Sequence, residues 1–160
     1  MIGAVVQARV SSTRLPGKVL KPILKKPMLE WQIERLKKTK SLDRICLATS
    51  LELDDAPLEE IAKRQNLVFF RGSLEDVLDR FYQAAKNLQC ETIVRITGDC
   101  PLLDPQITDQ VIQFFIRGGY DYASNTLRPS FPDGLDVEVV RFSVLEKAWK
   151  EAKLQSEREH

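Results

Sequence analysis

No acidic residue precedes Glu30, yet Arg9, Arg14, Lys18, Lys21, Lys25 and Lys26 all stand before it. In a chain whose 24 Lys and Arg are matched by 23 Asp and Glu, this is a local excess of positive charge. Between Arg9 and Lys18 lie the hydroxyls of Ser11, Ser12 and Thr13, and guanidinium and hydroxyl donors together suit phosphate oxygens. A solvated basic loop is the plainer reading and stays open, because neither GxxxxGK[ST] nor GxGxxG is present to sharpen the other.

Two acidic clusters offer different chemistry. In Thr97-Gly98-Asp99-Cys100-Pro101 an aspartate just beyond a strand end, beside a glycine without side-chain bulk, can present its carboxylate to a hard cation on phosphate oxygens. The alternative makes Asp99 a turn residue and Asp104, before Pro105, a helix start. In Phe131-Pro132-Asp133-Gly134-Leu135-Asp136-Val137-Glu138, Asp136 and Glu138 are two apart, so on a strand both face one side, and paired carboxylates seldom serve a core. An exposed edge strand is the competing account.

The elements that must carry these residues alternate along the chain. Ile2 to Ala8 predicts a buried strand entering the long loop Arg9 to Lys18. Pro27, with Leu29, Ile33 and Leu36 at helical spacing, predicts an amphipathic helix, Arg44 to Thr49 a strand, Pro57 to Gln65 a helix and Leu67 to Phe70 a strand. Ser73 and Asp76 have capping-box-like spacing ahead of the stripe Leu74, Val77, Leu78, Phe81, Tyr82 and Ala85. Strand Glu91 to Ile96 follows, then a helix through Ile107, Val111, Ile112 and Phe115 to Gly118 and Gly119. Strand Asp136 to Arg141 leads to a Ser143-capped helix through Leu145, Ala148 and Trp149, read as continuing without a C-cap to Glu159. Such alternation predicts an α/β fold, with helices on both faces of a mainly parallel sheet and ligands at the carboxyl ends of its strands. No repeat, linker or domain boundary is visible.

Composition narrows the function classes. Hydrophobic residues at 43% and charged residues at 29% match a folded soluble domain, and a net charge of +1 argues against long nucleic acid as a partner. Cys46, Cys90 and Cys100 form no CxxC and the sole histidine is His160, so a zinc site and a disulfide framework are both excluded; a reducing cytoplasm is the expected compartment. No apolar run is long enough for a membrane span, and Met1 to Val6 does not read as a signal peptide.

Gln7-Ala8-Arg9, Ser11-Ser12-Thr13, Arg14-Leu15-Pro16-Gly17-Lys18 and Lys26-Pro27-Met28 together resemble the opening signature of the CMP-sugar synthetase superfamily. The likeness is greatest to the spore-coat polysaccharide biosynthesis branch, the SpsF-like proteins, and extends to the CMP-ketodeoxyoctulosonate synthetases in STRLPGK. The resemblance implies a three-layer Rossmann-like nucleotidyltransferase fold and transfer of CMP from CTP to a sugar hydroxyl, with Mg2+ as cofactor. It further implies that Arg9, Ser11, Arg14 and Lys18 bind the triphosphate, with Gln7 and Ala8 near the cytosine. Arg14, Lys18 and Asp99 would carry the chemistry, and Asp99 and Asp136 the metal. Asn125 and Glu138 would face the acceptor, with Glu138 also a reserve metal ligand; the sialic acid synthetases place an Asp-x-Asp there, and this departure from them leaves the role of Glu138 open. Asp79-Arg80 matches a nucleotide-side Thr-Asp-Arg position, at even weight with a surface ion pair. Cys90 and Cys100 are assigned to structure. A nucleotide-sugar-dependent glycosyltransferase and a non-catalytic nucleotide-binding domain are the rival readings, and a homodimer is compatible with the family. Ser156 to His160 matches a point where SpsF-like sequences continue, so the expectation is a C-terminally truncated domain whose final helix frays.

Overall fold

The computed structural model describes residues 1–12 and 15–159. Six strands form the main sheet: β1 Ile2–Gln7, β4 Arg44–Ser50, β5 Val68–Gly72, β6 Thr92–Thr97, β7 Tyr122–Ser124 and β8 Glu138–Arg141, in the order β5-β4-β1-β6-β8-β7. The four strands from β5 to β6 are parallel, and β8 reverses the direction against both β6 and β7. A two-stranded hairpin, β2 Pro22–Ile23 and β3 Lys26–Pro27, stands apart within the basic segment.

Alternation along β1 divides the core, because successive strand residues point to opposite faces. Ala4 and Val6 join the cluster built with Leu29, Ile33 and Leu36 of α1 (Met28–Leu36), Leu58 and Ile61 of α2 (Ala56–Arg64), and Val111, Ile112 and Phe115 of α4 (Pro105–Gly118). Val5 faces the other way, onto Phe81, Ala84, Ala85 and Leu88 of α3 (Val77–Leu88) and Leu145 of α5 (Phe142–Glu151). A central strand covered on both sides reads as one unbroken apolar run, which is why Ala4, Val5 and Val6 are consecutive. The α/β architecture with a mainly parallel sheet is therefore as expected.

Four local expectations are corrected. Asp76, not Ser73, is the N-cap of α3: its Oδ1 accepts from the Asp79 N–H at 2.9 Å, while Ser73 Oγ accepts from the Asp76 N–H one turn earlier, leaving Leu74 outside the helix. Ser143 lies inside α5, whose N-cap is Arg141 with no side-chain cap. The final helix is not continuous, since Ala152 is extended and a separate short helix, α6 (Gln155–Glu159), follows. Arg158 holds α6 down by donating to Asp76 Oδ2 at 2.7 Å and to the carbonyls of Trp149 and Ala152, so this segment is tied to α3. The last strand begins at Glu138, which leaves Asp136 in the loop before it.

Candidate active site

The basic loop and the first acidic cluster are brought together by adjacent strands. Gln7 at the end of β1 pairs with Thr97 at the end of β6, and the chain continues past both at the same edge of the sheet. Gly98 N–H donates to the Gln7 carbonyl at 2.8 Å, and a Cβ at residue 98 would lie 2.7 Å from Ala8 Cβ, so only glycine allows this approach. Lys18 Nζ then meets Asp99 Oδ2 at 2.5 Å across 81 residues of sequence.

Three polar side chains, Asp55 and Gln32 buried and Asn125 half-buried, fix the surrounding backbone. Fully buried Asp55 accepts at one oxygen from the Val10 N–H (2.6 Å) and at the other from Thr49 Oγ1 (2.6 Å), Ser50 Oγ (2.5 Å) and the Ser50 N–H (3.0 Å), which anchors the start of the basic loop. Burial alone would raise its carboxyl pKa, but the Ser50 and Thr49 hydroxyls and the Val10 and Ser50 amides outweigh it and hold the group ionised below its ordinary range. Gln32 of α1 bonds to Thr97 and Cys100 on either side of Asp99. Asn125 donates to the Leu135 carbonyl at 2.8 Å and accepts from the Val137 N–H at 2.9 Å, bracketing Asp136; Gly134, at φ +91°, makes the turn before it.

Three cavities open here. Gln7, Ala8, Arg9, Ser12, Lys18 and Asp99 line one of about 220 Å³. A larger one of about 650 Å³ is bounded by Leu15, Lys18, Asp99, Cys100, Asp133 and Asp136. Lys18, Thr97 and Asp99 belong to both, so the ion pair stands on their boundary. The third, about 320 Å³, is mainly apolar: Val77, Leu78, Phe81 and Leu145 form walls, with Gln7, Arg95, Tyr122 and Glu138 at its polar end.

The two candidate metal carboxylates differ in their surroundings. Burial would raise the Asp99 pKa, but the hydrogen bond and charge of Lys18, with a bond from Thr97, bring it below the ordinary value. Asp136 is pushed up, first by burial and then by the negative charges of Asp133, Glu138 and Asp99. Among the described residues no three His, Cys, Asp or Glu side chains converge on one point. A pair of carboxylates on one cavity nonetheless fits a magnesium ion, which commonly takes one or two carboxylates and completes its octahedron with substrate phosphates and water.

The remaining sequence-predicted residues are placed as follows. Arg14 lies outside the described residues. Arg9 and Ser11 are exposed, and it is Ser12 rather than Ser11 that lines the smaller cavity. Lys26 is taken up by Glu34 at 2.7 Å and by the Trp31 ring. Glu138 does not join Asp136 on one strand face; it is paired with Arg95 and accepts from the Tyr122 hydroxyl at 3.0 Å in the third cavity. Asp79 accepts from Trp149 Nε1 at 2.8 Å and from Gln83, so it faces α5 and lines none of the three cavities. Arg80 is buried, donating to the Ser73 and Leu74 carbonyls; burial and the nearby Arg9 charge lower its pKa. The Cys100 thiol is pushed up, chiefly by burial, which suits the structural role expected of it.

Residues not singled out from the sequence include Asp55, Gln32 and Arg95. For Gln32 a signal was present: it sits on the buried stripe Leu29, Ile33 and Leu36, where a polar residue needs a partner. Asp55, in the polar run Glu52 to Asp55, carried none.

The basic loop after the first strand and the carboxylate after β6 thus meet at one edge of an α/β sheet. The chain belongs to the cytidylyltransferase family, whose sequence model matches residues 3–160. It is 42% identical over 156 residues to an uncharacterised protein of Methanocaldococcus jannaschii, covering 98% of this chain and 63% of that one. It is 38% identical over 145 residues to the spore coat polysaccharide biosynthesis protein SpsF of Bacillus subtilis, covering 88% and 59%. A solved cytidylyltransferase from Leptospira borgpetersenii superposes with a TM-score of 0.94 at 39% identity, over 99% of this chain and 68% of that one. The chain thus spans about three-fifths of the length of these curated relatives.

Proposed function

We propose that this chain forms the nucleotide-handling part of a magnesium-dependent cytidylyltransferase, which transfers CMP from CTP to a sugar hydroxyl and releases pyrophosphate in surface-glycan biosynthesis. The observation that carries the reading is the Lys18–Asp99 pair on the boundary between two cavities. The triphosphate occupies the smaller cavity, where Lys18 and the backbone around Ala8 and Arg9 meet it. The acceptor hydroxyl approaches from the larger cavity, so the α-phosphorus lies where the two meet and attack is in line with the departing pyrophosphate. Lys18 neutralises charge on the phosphate oxygens, and Asp55 holds the loop so that this charge is placed before the substrate arrives. Asp99 and Asp136 are the residues that would hold the metal, which when bound supplies positive charge to the phosphates. The apolar cavity ending in Arg95, Tyr122 and Glu138 adjoins the smaller cavity through Gln7 and shares no residue with the larger one, so in this arrangement Glu138 does not face the acceptor.

Binding tests the reading without knowledge of the acceptor. Calorimetry with CTP, UTP and ATP, each with and without magnesium, should give tightest binding for CTP and an enhancement by the metal. Preference for a nucleoside diphosphate sugar over CTP would favour a glycosyltransferase instead. Tight CTP binding by a full-length relative that releases no pyrophosphate with any acidic sugar would favour a non-catalytic domain.

A further inference from the structure

Gln32 is as fully buried as Leu29, Ile33 and Leu36 beside it on α1. An amide among apolar groups is costly unless both of its ends are bonded. Both are, and to backbone flanking the pair Gly98-Asp99: Nε2 donates to the Thr97 carbonyl at 2.6 Å, and Oε1 accepts from the Cys100 N–H at 3.3 Å. One turn along the same helix, Arg35 Nε donates to the Leu103 carbonyl at 2.6 Å. The segment from Thr97 to Leu103, which carries Asp99, is therefore gripped by α1 at three backbone groups.

We propose that Gln32 is a positioning residue for the Asp99 carboxylate, an inference that rests on the nucleotidyl-transfer reading above. The chemistry selects an amide. Thr97 needs a donor and Cys100 an acceptor; an ionised glutamate supplies only the second, and methionine, of similar length, supplies neither of comparable strength. Asp99 reaches Lys18 from a turn of four residues with no other side chain of α1 holding its two ends, so loss of Gln32 frees the turn while Asp55 still anchors the start of the basic loop at Val10.

The test compares Gln32→Met and Gln32→Glu with the unaltered chain by hydrogen–deuterium exchange over residues 97–103 and by CTP calorimetry with and without magnesium. Exchange in this segment should rise while β1 and β4 stay protected. Metal-free CTP binding should be unchanged, and the enhancement by magnesium should fall roughly tenfold, the scale for losing a group that orients a ligand. Gln32→Glu should lie between methionine and glutamine, and it carries the same comparison if Gln32→Met does not fold. Unchanged exchange at 97–103, or equal losses of metal-free and metal-dependent binding, would overturn the positioning role, the second result marking a purely structural one. If the unaltered chain binds no CTP under either condition, the nucleotidyl-transfer reading falls and takes this role with it; binding by the unaltered chain beside insensitive variants overturns the role alone.

Discussion

Asp99 and Asp136 line one cavity and are treated oppositely by the fold. Asp99 has a cation at 2.5 Å and a turn fixed by α1, and its pKa is lowered. Asp136 has no ion-pair partner among the described residues, stands near Asp133, Glu138 and Asp99, and has its pKa raised. The contrast teaches that negative charge here is balanced on the loop side and left in excess on the β8 side. Such an imbalance costs stability in the free protein and is relieved when positive charge enters the cavity.

The largest way to break the contrast is Asp99→Asn. An amide is a poor ligand for a hard cation and leaves Lys18 unpaired, so the enhancement of CTP binding by magnesium should disappear, a greater loss than the roughly 10–100-fold typical of a supporting group. Calorimetry at several magnesium concentrations checks this, and an undiminished enhancement would move the metal site elsewhere. Lys18→Ala comes next. A charge-assisted phosphate contact is worth about 1.5–3 kcal/mol, so CTP should bind roughly tenfold to a hundredfold more weakly. Thermal stability should hardly change, because the pair is a half-exposed one.

Asp136→Asn should have the smallest effect and the most informative sign. A carboxyl whose pKa is raised on folding binds its proton more tightly in the native state, so stability falls as pH rises through the interval from the unfolded to the folded pKa. The variant lacks that penalty. Its Tm should exceed the unaltered chain's by about 1–2 °C at neutral pH, and the difference should vanish below the ordinary carboxylate range. Magnesium should help its CTP binding less. A Tm gain that persists at low pH would show that crowded charge is not the cause.

Much of this arrangement was legible in the residues. Alternating strands and helices gave the layered sheet, and Gly98-Asp99 with the STRLPGK loop pointed to the edge where Lys18 and Asp99 meet. The parity argument for Asp136 and Glu138 failed because Gly134 turns the chain and the strand begins only at Glu138, sending the two carboxylates to different cavities. Ser73 was mistaken for a cap because it and Asp76 are both good ones, and only packing of Leu78 and Phe81 decides where the helix can begin. Asp55 and Gln32 escaped notice for a different reason. The bonds that fix the site, Asp55 to Val10 and Gln32 to Thr97 and Cys100, span 45 to 68 residues, and although a polar residue on a buried stripe marks Gln32 as needing a partner, no local pattern names one so distant.

The pairing of β1 with β6 carries a kinetic consequence. Local pieces such as α3 or the β2–β3 hairpin can form early, but the register that sets Gln7 beside Thr97 joins distant parts of the chain and must wait for a long loop to close. Lys18 and Asp99 lie just past that seam. The cavities on either side of that pair are accordingly absent from any partly folded form in which β1 and β6 are still separate, and a ligand that spans the seam would act as a clasp, slowing unfolding far more than it speeds folding.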